Sequence, residues 1–306
     1  MWKKPSLHPD QEMVKLVREN IWLITEEDAN FPPLLREIPS PPTILYGRGN
    51  LKLLKEKTLL AVVGTRKPTQ YGLEATSVLV RELTEAGIII VSGLAMGIDA
   101  RAHDTAIENK GRTIAVLGSG VDQNSIFPPE NRNLARRLLE SNGAIISEYA
   151  PTTPAVKEHF PARNRIISGL SQGVLVIEAR EKSGALITAR LALDQNREVF
   201  ALPGSIFSLV SVGPNRLLKQ GAKAVVSVQD ILEELGIDYN KVRNENNGLL
   251  NEKEQLLLEL LAEPLGVDLI KEKSGLDIST IIASLSLLEL KGRVSNLGGN
   301  TYRKIN

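Results

Sequence analysis

Between residues 59 and 228 one pattern of apolar and polar positions recurs: a short β-branched run, a turn rich in glycine or polar residues, then a longer segment with helical spacing. The runs are Leu59 to Gly64, Ile88 to Gly93, Thr113 to Gly118, Ala144 to Tyr149, Gly173 to Ala179, Glu198 to Gly204 and Ala222 to Val228. Their starts fall roughly 25 to 31 residues apart, the length of a βαβ unit rather than a hairpin. LLAVV, IIIV and VLVI are apolar at every position, which suits strands covered on both faces, as in a parallel sheet. The pattern therefore predicts a doubly wound α/β domain over residues 56–237, with ligands expected at the carboxyl ends of its strands.

The flanks read differently. Residues 1–55 contain Trp22, Phe31 and the stretch IPSPPTILYG, whose prolines argue against a long helix and for a short, extended N-terminal segment. Residues 238–248 are polar, with Asn240, Asn244, Asn246 and Asn247, and read as a linker. Residues 249–306 are too few for another α/β layer. Apolar patterns over Glu252 to Leu261, Val267 to Lys273 and Ser279 to Leu290 predict three helices, and Gly298-Gly299-Asn300 predicts a hairpin turn between two strands. Three helices and a hairpin are the order of a winged helix. Its charge is uneven: residues 249–289 carry three basic and eight acidic side chains, residues 290–306 four basic and none acidic. Only the wing suits phosphate, and the nearly uncharged third helix fits a protein contact as well as DNA.

Composition narrows the chemistry. The 306 residues have no cysteine, which removes disulfides, thiolate metal sites and thiol nucleophiles. With 37 Lys and Arg against 36 Asp and Glu, the formal charge of +1 announces no polyanion partner for the chain as a whole. No apolar stretch reaches the length of a signal peptide or membrane span, so a cytoplasmic protein without a membrane anchor is expected.

The loops after the strands hold the candidate chemistry. Gly64-Thr65-Arg66, straight after the first core strand, combines close backbone approach with a guanidinium for phosphate; the plainer alternative is a tight turn with a surface arginine. Ser92-Gly93 to Gly97-Ile98-Asp99 is a second cradle. Asp99 and His103 share helical spacing, but two ligands are too few for a metal, and no metal or cofactor is expected. GSGVDQ at 118–123 lacks the last glycine of a dinucleotide fingerprint and is not followed by a helix, which argues against NAD. Lys157 to Arg165, KEHFPARNR, reads as a loop combining cations with Phe160, the ingredients of a single-strand site, against the alternative of a solvated basic turn with Phe160 in the core. Ser183-Gly184 caps a helix pointing at the same end of the sheet. No Ser-His-Asp order and no paired glutamates mark a cleavage site.

Taken together, GTRKPTQYG, VSGLAMGIDARAHDTA, AVLGSGVDQ, FPPEN, FPARNRIISGLSQGVLVIEAREKSGALITARLALDQNREVFALPGS and GPNRLLKQGAK resemble the DNA-processing protein A family, also called DprA or Smf, over roughly residues 47–235. The resemblance implies a Rossmann-like core with a small C-terminal winged-helix domain. It implies a protein that binds single-stranded DNA, loads the RecA recombinase onto it as a homodimer in natural transformation and recombination, and is not an enzyme. By that resemblance Gly64 and Arg66, with Thr65 between them, hold phosphate, and Lys157 and Phe160 contact the strand. Arg163, Asn164 and Arg165 line the same groove, completed by Ser183, Gly184 and the Gly93/Gly97 loop. Two positions depart from the family pattern: Thr65 stands where serine is frequent, and Pro214 where threonine is. The N-terminal segment is also too short for the helical domain that many members carry. Two other readings compete, a nucleotide or nucleoside-phosphate hydrolase of related fold and a winged-helix regulator of duplex DNA.

Overall fold

The computed structural model describes residues 9–237, 252–290 and 293–305, in two compact units divided near residue 242. The linker expected at 238–248 lies outside the described residues. In the first unit all seven expected apolar runs form parallel strands: β3 (Leu59–Val63), β4 (Ile89–Ser92), β5 (Thr113–Val116), β6 (Ala144–Ser147), β7 (Gly173–Val176), β8 (Glu198–Ala201) and β9 (Lys223–Ala224).

The segment before them does more than lead into the core. After α1 (Pro9–Arg18), strands β1 (Trp22–Thr25) and β2 (Ile44–Gly49) form an antiparallel pair, with the short helix α2 (Pro33–Arg36) between them. The pair adds antiparallel to β6, so the sheet order among the described residues is β1-β2-β6-β5-β4-β3-β7-β8-β9. The prolines do keep long helices out of residues 31–49, yet the extended chain they leave pairs as sheet edge. Residues 22–49 are thus part of the central sheet rather than an extension before it.

The alternation along each strand sorts the core into two layers. Leu59, Ala61, Val63, Val91, Val116, Ile146 and Val176 face one layer, whereas Leu60, Val62, Ile90, Leu175, Ile177 and Phe200 face the other. Helices α3 (Gln70–Glu85) and α4 (Ile98–Glu108) cover one face, α6 (His159–Leu170) and α7 (Gly184–Asp194) the other. Helix α5 (Arg132–Glu140) packs over β5 and β6. From β3 the chain winds outward through β4, β5 and β6, then returns to place β7 on the other side of β3. The loops leaving β3 and β7 diverge there, which opens the crevice in which such sheets bind ligands.

The second unit has its own core of Leu257, Leu261, Ile270, Ile281, Leu285 and Tyr302. Helices α8 (Val212–Lys219) and α9 (Val228–Glu234) follow β8 and β9 in the first unit; the second consists of α10 (Glu252–Leu260), α11 (Val267–Ser274), α12 (Ile278–Leu290) and a small sheet of β10 (Leu265–Gly266), β11 (Val294–Gly298) and β12 (Thr301–Lys304). Gly299 and Asn300, both at positive φ (58° and 59°), make the two-residue turn of the wing.

Candidate nucleic-acid interface

A cleft of about 320 Å³ opens at the switch point, lined by Gly64, Thr65 and Arg66 after β3, Phe160, Arg163 and Asn164 of α6, and Arg180, Lys182, Ser183 and Gly184 after β7. The first loop is held at both ends. A side chain at Gly64 would meet Ile98 at 2.6 Å. Thr65 donates its N–H to the Glu178 carbonyl (2.7 Å), and the buried Glu178 carboxylate accepts from Thr69 N–H (2.9 Å) and Thr69 Oγ1 (2.5 Å). Thr69 in turn caps α3, accepting from Gly72 N–H. With its flanks anchored across 109 residues of sequence, the loop presents Arg66 and Lys67 to solvent. The Arg66 guanidinium lies 5.6 Å from the Phe160 ring centroid, within cation–π range.

The residues expected in a loop at 157–165 are instead mostly helical. His159 to Leu170 form α6, whose first turn accommodates Pro161 because N–H groups there have no partner within the helix. This matters because a helix sends consecutive side chains in different directions. Phe160 faces the cleft. Arg163 points down into the sheet, 5% exposed, and donates to the carbonyls of Gly93 (2.8 Å) and Val116 at the ends of β4 and β5. Asn164 donates to the Gly184 carbonyl (3.3 Å) and fixes the start of α7. Arg165 turns away from the cleft to pair with Glu148 (2.5 Å), and Lys157 is exposed in the turn before the helix, outside the cleft lining. The cleft therefore gathers Gly64, Thr65, Arg66, Phe160, Arg163, Asn164, Ser183 and Gly184, but not Lys157 or Arg165.

Below this surface Asp99 and His103 are buried beside Arg163. Asp99 accepts from Gly93 N–H (3.1 Å); burial pushes its carboxyl up, opposed by the Arg163 charge and backbone N–H groups. Burial likewise lowers Arg163 to about 10, with Asp99 acting to keep it charged. Deeper still, His103 Nδ1 lies 2.7 Å from Thr113 Oγ1, whose own proton goes to the Ile90 carbonyl. The imidazole is thus the neutral tautomer protonated on Nδ1, and burial, then Arg163, pushes it down to about 3. Asp99 and His103 are in this way engaged with backbone and threonine. Among the described residues no cluster of three or more metal-ligating side chains occurs.

The charged loop before Ser183 adds two cations that the sequence reading did not count among its site residues, Arg180 and Lys182, both exposed and both lining the cavity beside Ser183 and Gly184. Their signal was position, directly after a core strand. Ser183 Oγ accepts from Ala185 N–H (3.3 Å) as the cap of α7, and a side chain at Gly184 would meet nothing within 4 Å. The GPN stretch braces this loop. Gly213 N–H donates to the Ala179 carbonyl (2.9 Å), and the Asn215 amide bonds both the N–H and the carbonyl of Gly204. Pro214, buried in the first turn of α8 (Val212–Lys219), needs no backbone donor there.

The family model for DNA recombination-mediator protein A matches residues 22–236. The chain belongs to the DprA/Smf family. It is 41% identical to Protein Smf of Escherichia coli over 308 residues, covering 98% of this chain and 82% of that one. It is 48% identical to DNA processing protein DprA of Bacillus subtilis over 205 residues, 67% of this chain and 68% of that one. A Helicobacter pylori DNA processing protein A, solved for its unique single-stranded DNA binding mode, superposes with a TM-score of 0.63 at 33% identity, covering 70% of this chain and 95% of that one. The DprA winged helix domain matches residues 246–300. This DprA/Smf member is accordingly a DNA-processing protein of the recombination-mediator class. No helix among its described residues is long and apolar enough to cross a membrane.

Proposed function

We propose that this chain binds single-stranded DNA in the cleft between the β3 and β7 loops and loads RecA onto it, acting as a homodimeric mediator in the cytoplasm rather than as an enzyme, in natural transformation and recombination. The observation that carries this reading is the group of exposed cations Arg66, Arg180 and Lys182, none in an ion pair among the described residues, arranged around the Phe160 ring and the start of α7. Cations that hold phosphates beside a ring that stacks on bases are what a flexible single strand requires. The relative from Helicobacter pylori supports the same ligand. Gly64, Thr65, Arg66, Phe160, Ser183 and Gly184 form the contact surface; Lys157 meets the strand outside the cleft; Arg163 and Asn164 set the floor, and Arg165 braces α6.

The test is fluorescence anisotropy of a labelled oligothymidine over a salt series, with duplex as competitor. Tight, salt-sensitive binding, poorly competed by duplex and weakened about 10- to 100-fold by Arg66→Ala, is expected for loss of one charge-assisted phosphate contact. Binding that prefers duplex and ignores Arg66 would refute the assignment. For the RecA step, the full chain should shorten the lag of RecA filament assembly on a strand already coated with single-strand-binding protein.

A further inference from the structure

Both ends of the loop that presents Arg66 are bonded to one residue that stays out of the cleft lining. Glu178, 1% exposed after β7, accepts the Thr65 N–H on its backbone carbonyl (2.7 Å) and the Thr69 N–H and Oγ1 on its carboxylate (2.9 and 2.5 Å). We infer that Glu178 is the positioning residue of the strand site: its carboxylate takes the anion place at the start of α3, holds Arg66 at the rim, and leaves the start of α7 as the helix end open to a strand phosphate. The inference rests on the single-strand reading above.

Three observations carry it. The backbone beneath Arg66 is fixed from both sides: Lys67 N–H donates to Thr65 Oγ1 (3.2 Å), Pro68 sets its own φ, and the bonds to Glu178 close the loop at Thr65 and Thr69. Next, a carboxylate buried without a cation is a cost that a neutral side chain avoids, and among the described residues no lysine or arginine pairs with Glu178. What satisfies it is the positive end of α3, against which it lies so closely that a Cβ on Gly72 would stand 2.4 Å from its Oε2. In doubly wound sheets a helix start of this kind holds a nucleotide phosphate, and here the protein's own anion fills the place. Finally, the same segment leaves the other helix start free. Arg180 and Lys182 stand exposed beside Ser183 and Gly184, and a side chain at Gly184 would meet nothing within 4 Å. A phosphate is therefore repelled from α3 and drawn to α7.

Charge and position predict opposite signs for the loss of this carboxylate. Glu178 brings a negative charge near a site for phosphates, so by Coulomb's law alone its neutralisation tightens strand binding. If the carboxylate aims Arg66, the same change loosens it.

Anisotropy of a labelled oligothymidine on the full-length protein reads that sign. Glu178→Gln, close to the original in volume, is expected to weaken binding at least about threefold, a fraction of what a charge-assisted hydrogen bond is worth. Added to Arg66→Ala it should cost less than about a further twofold, because both changes remove the same contact. Thr69→Val, at an exposed position, removes the hydroxyl and leaves the charge; it should weaken binding about 2- to 10-fold, and Thr69→Ser should restore it. Glu178→Ala should lose affinity that millimolar acetate, the size of the missing group, recovers in part while chloride at equal ionic strength does not. Unchanged or tighter binding by Glu178→Gln, or full additivity with Arg66→Ala, overturns the positioning role; should Glu178→Ala not fold, Glu178→Gln and Thr69→Val decide. If Arg66→Ala weakens salt-sensitive binding while those two variants do not, the cleft survives that failure. If Arg66→Ala changes nothing, both fall.

Discussion

Arg66 and Arg163 belong to one cleft and differ in almost every physical respect. Arg66 sits at the rim, exposed, with no carboxylate partner among the described residues and only the Phe160 ring beneath it. Arg163 sits at the floor, buried, bonded to the strand-end carbonyls of Gly93 and Val116 and electrostatically opposed to Asp99. A buried cation must be satisfied by the protein, because water is not there to do it. A rim cation keeps its bonding capacity for an incoming anion. Two arginines of one cleft thus divide between a floor bonded into the fold and a rim open to solvent, and burial decides which is which.

The largest expected effect breaks the floor. Arg163→Ala leaves Asp99 without its counter-charge and orphans strand-end carbonyls, and urea unfolding should show a loss of about 3–5 kcal/mol. Equal stability of the variant would mean that the floor arginine is not structural. Arg66→Ala, by contrast, should change stability by no more than about 0.5 kcal/mol while making the salt slope of strand binding shallower by about 0.7.

The glycines sharpen the same contrast. A side chain at Gly93 would lie 2.6 Å from the Arg163 guanidinium, so Gly93→Ala should cost about 1–3 kcal/mol. Gly184 faces open space, and Gly184→Ala should preserve or slightly raise the melting temperature while weakening DNA binding where the strand approaches the start of α7.

His103 probes the floor by pH. Its folded pKa of about 3 lies below the unfolded value of 6.5, so between these values only the unfolded chain takes up the proton. Stability should therefore fall as pH drops below 6.5, by about 1.4 kcal/mol per pH unit from this group, and His103→Asn should flatten the slope of urea midpoints between pH 6.5 and 5. The smallest effect is expected at Arg165: paired with Glu148 and turned from the cleft, its replacement by alanine should leave the salt slope of strand binding unchanged. A reduced slope would bring Arg165 back into the interface.

Much of this molecule is legible in its residues. The seven apolar runs are strands because a sequence apolar at every position can be satisfied only by burial on both faces, and their spacing leaves room for one crossover helix each. The three-helix-and-wing order is likewise local, down to the Gly298-Gly299-Asn300 turn, where positive φ selects those residue types. Gly64, Arg66, Ser183 and Gly184 are legible as candidates for the same reason, since strand-end glycines, cations and caps announce themselves in one dimension, and the fold lines one cleft with them.

What local pattern left open, tertiary structure decided. Residues 22–49 became sheet edge because β6 offers them an unpaired backbone, a partner about a hundred residues away. KEHFPARNR became mostly helix, and the helical turn then sent Phe160 to the cleft, Arg163 to the floor and Arg165 to Glu148. Glu178 and Asn215 brace loops that they do not adjoin in sequence. Local propensity names the residues that can bind an anion. Which of them face water, and which are consumed by the fold, depends on burial and on partners that only the closed sheet brings together.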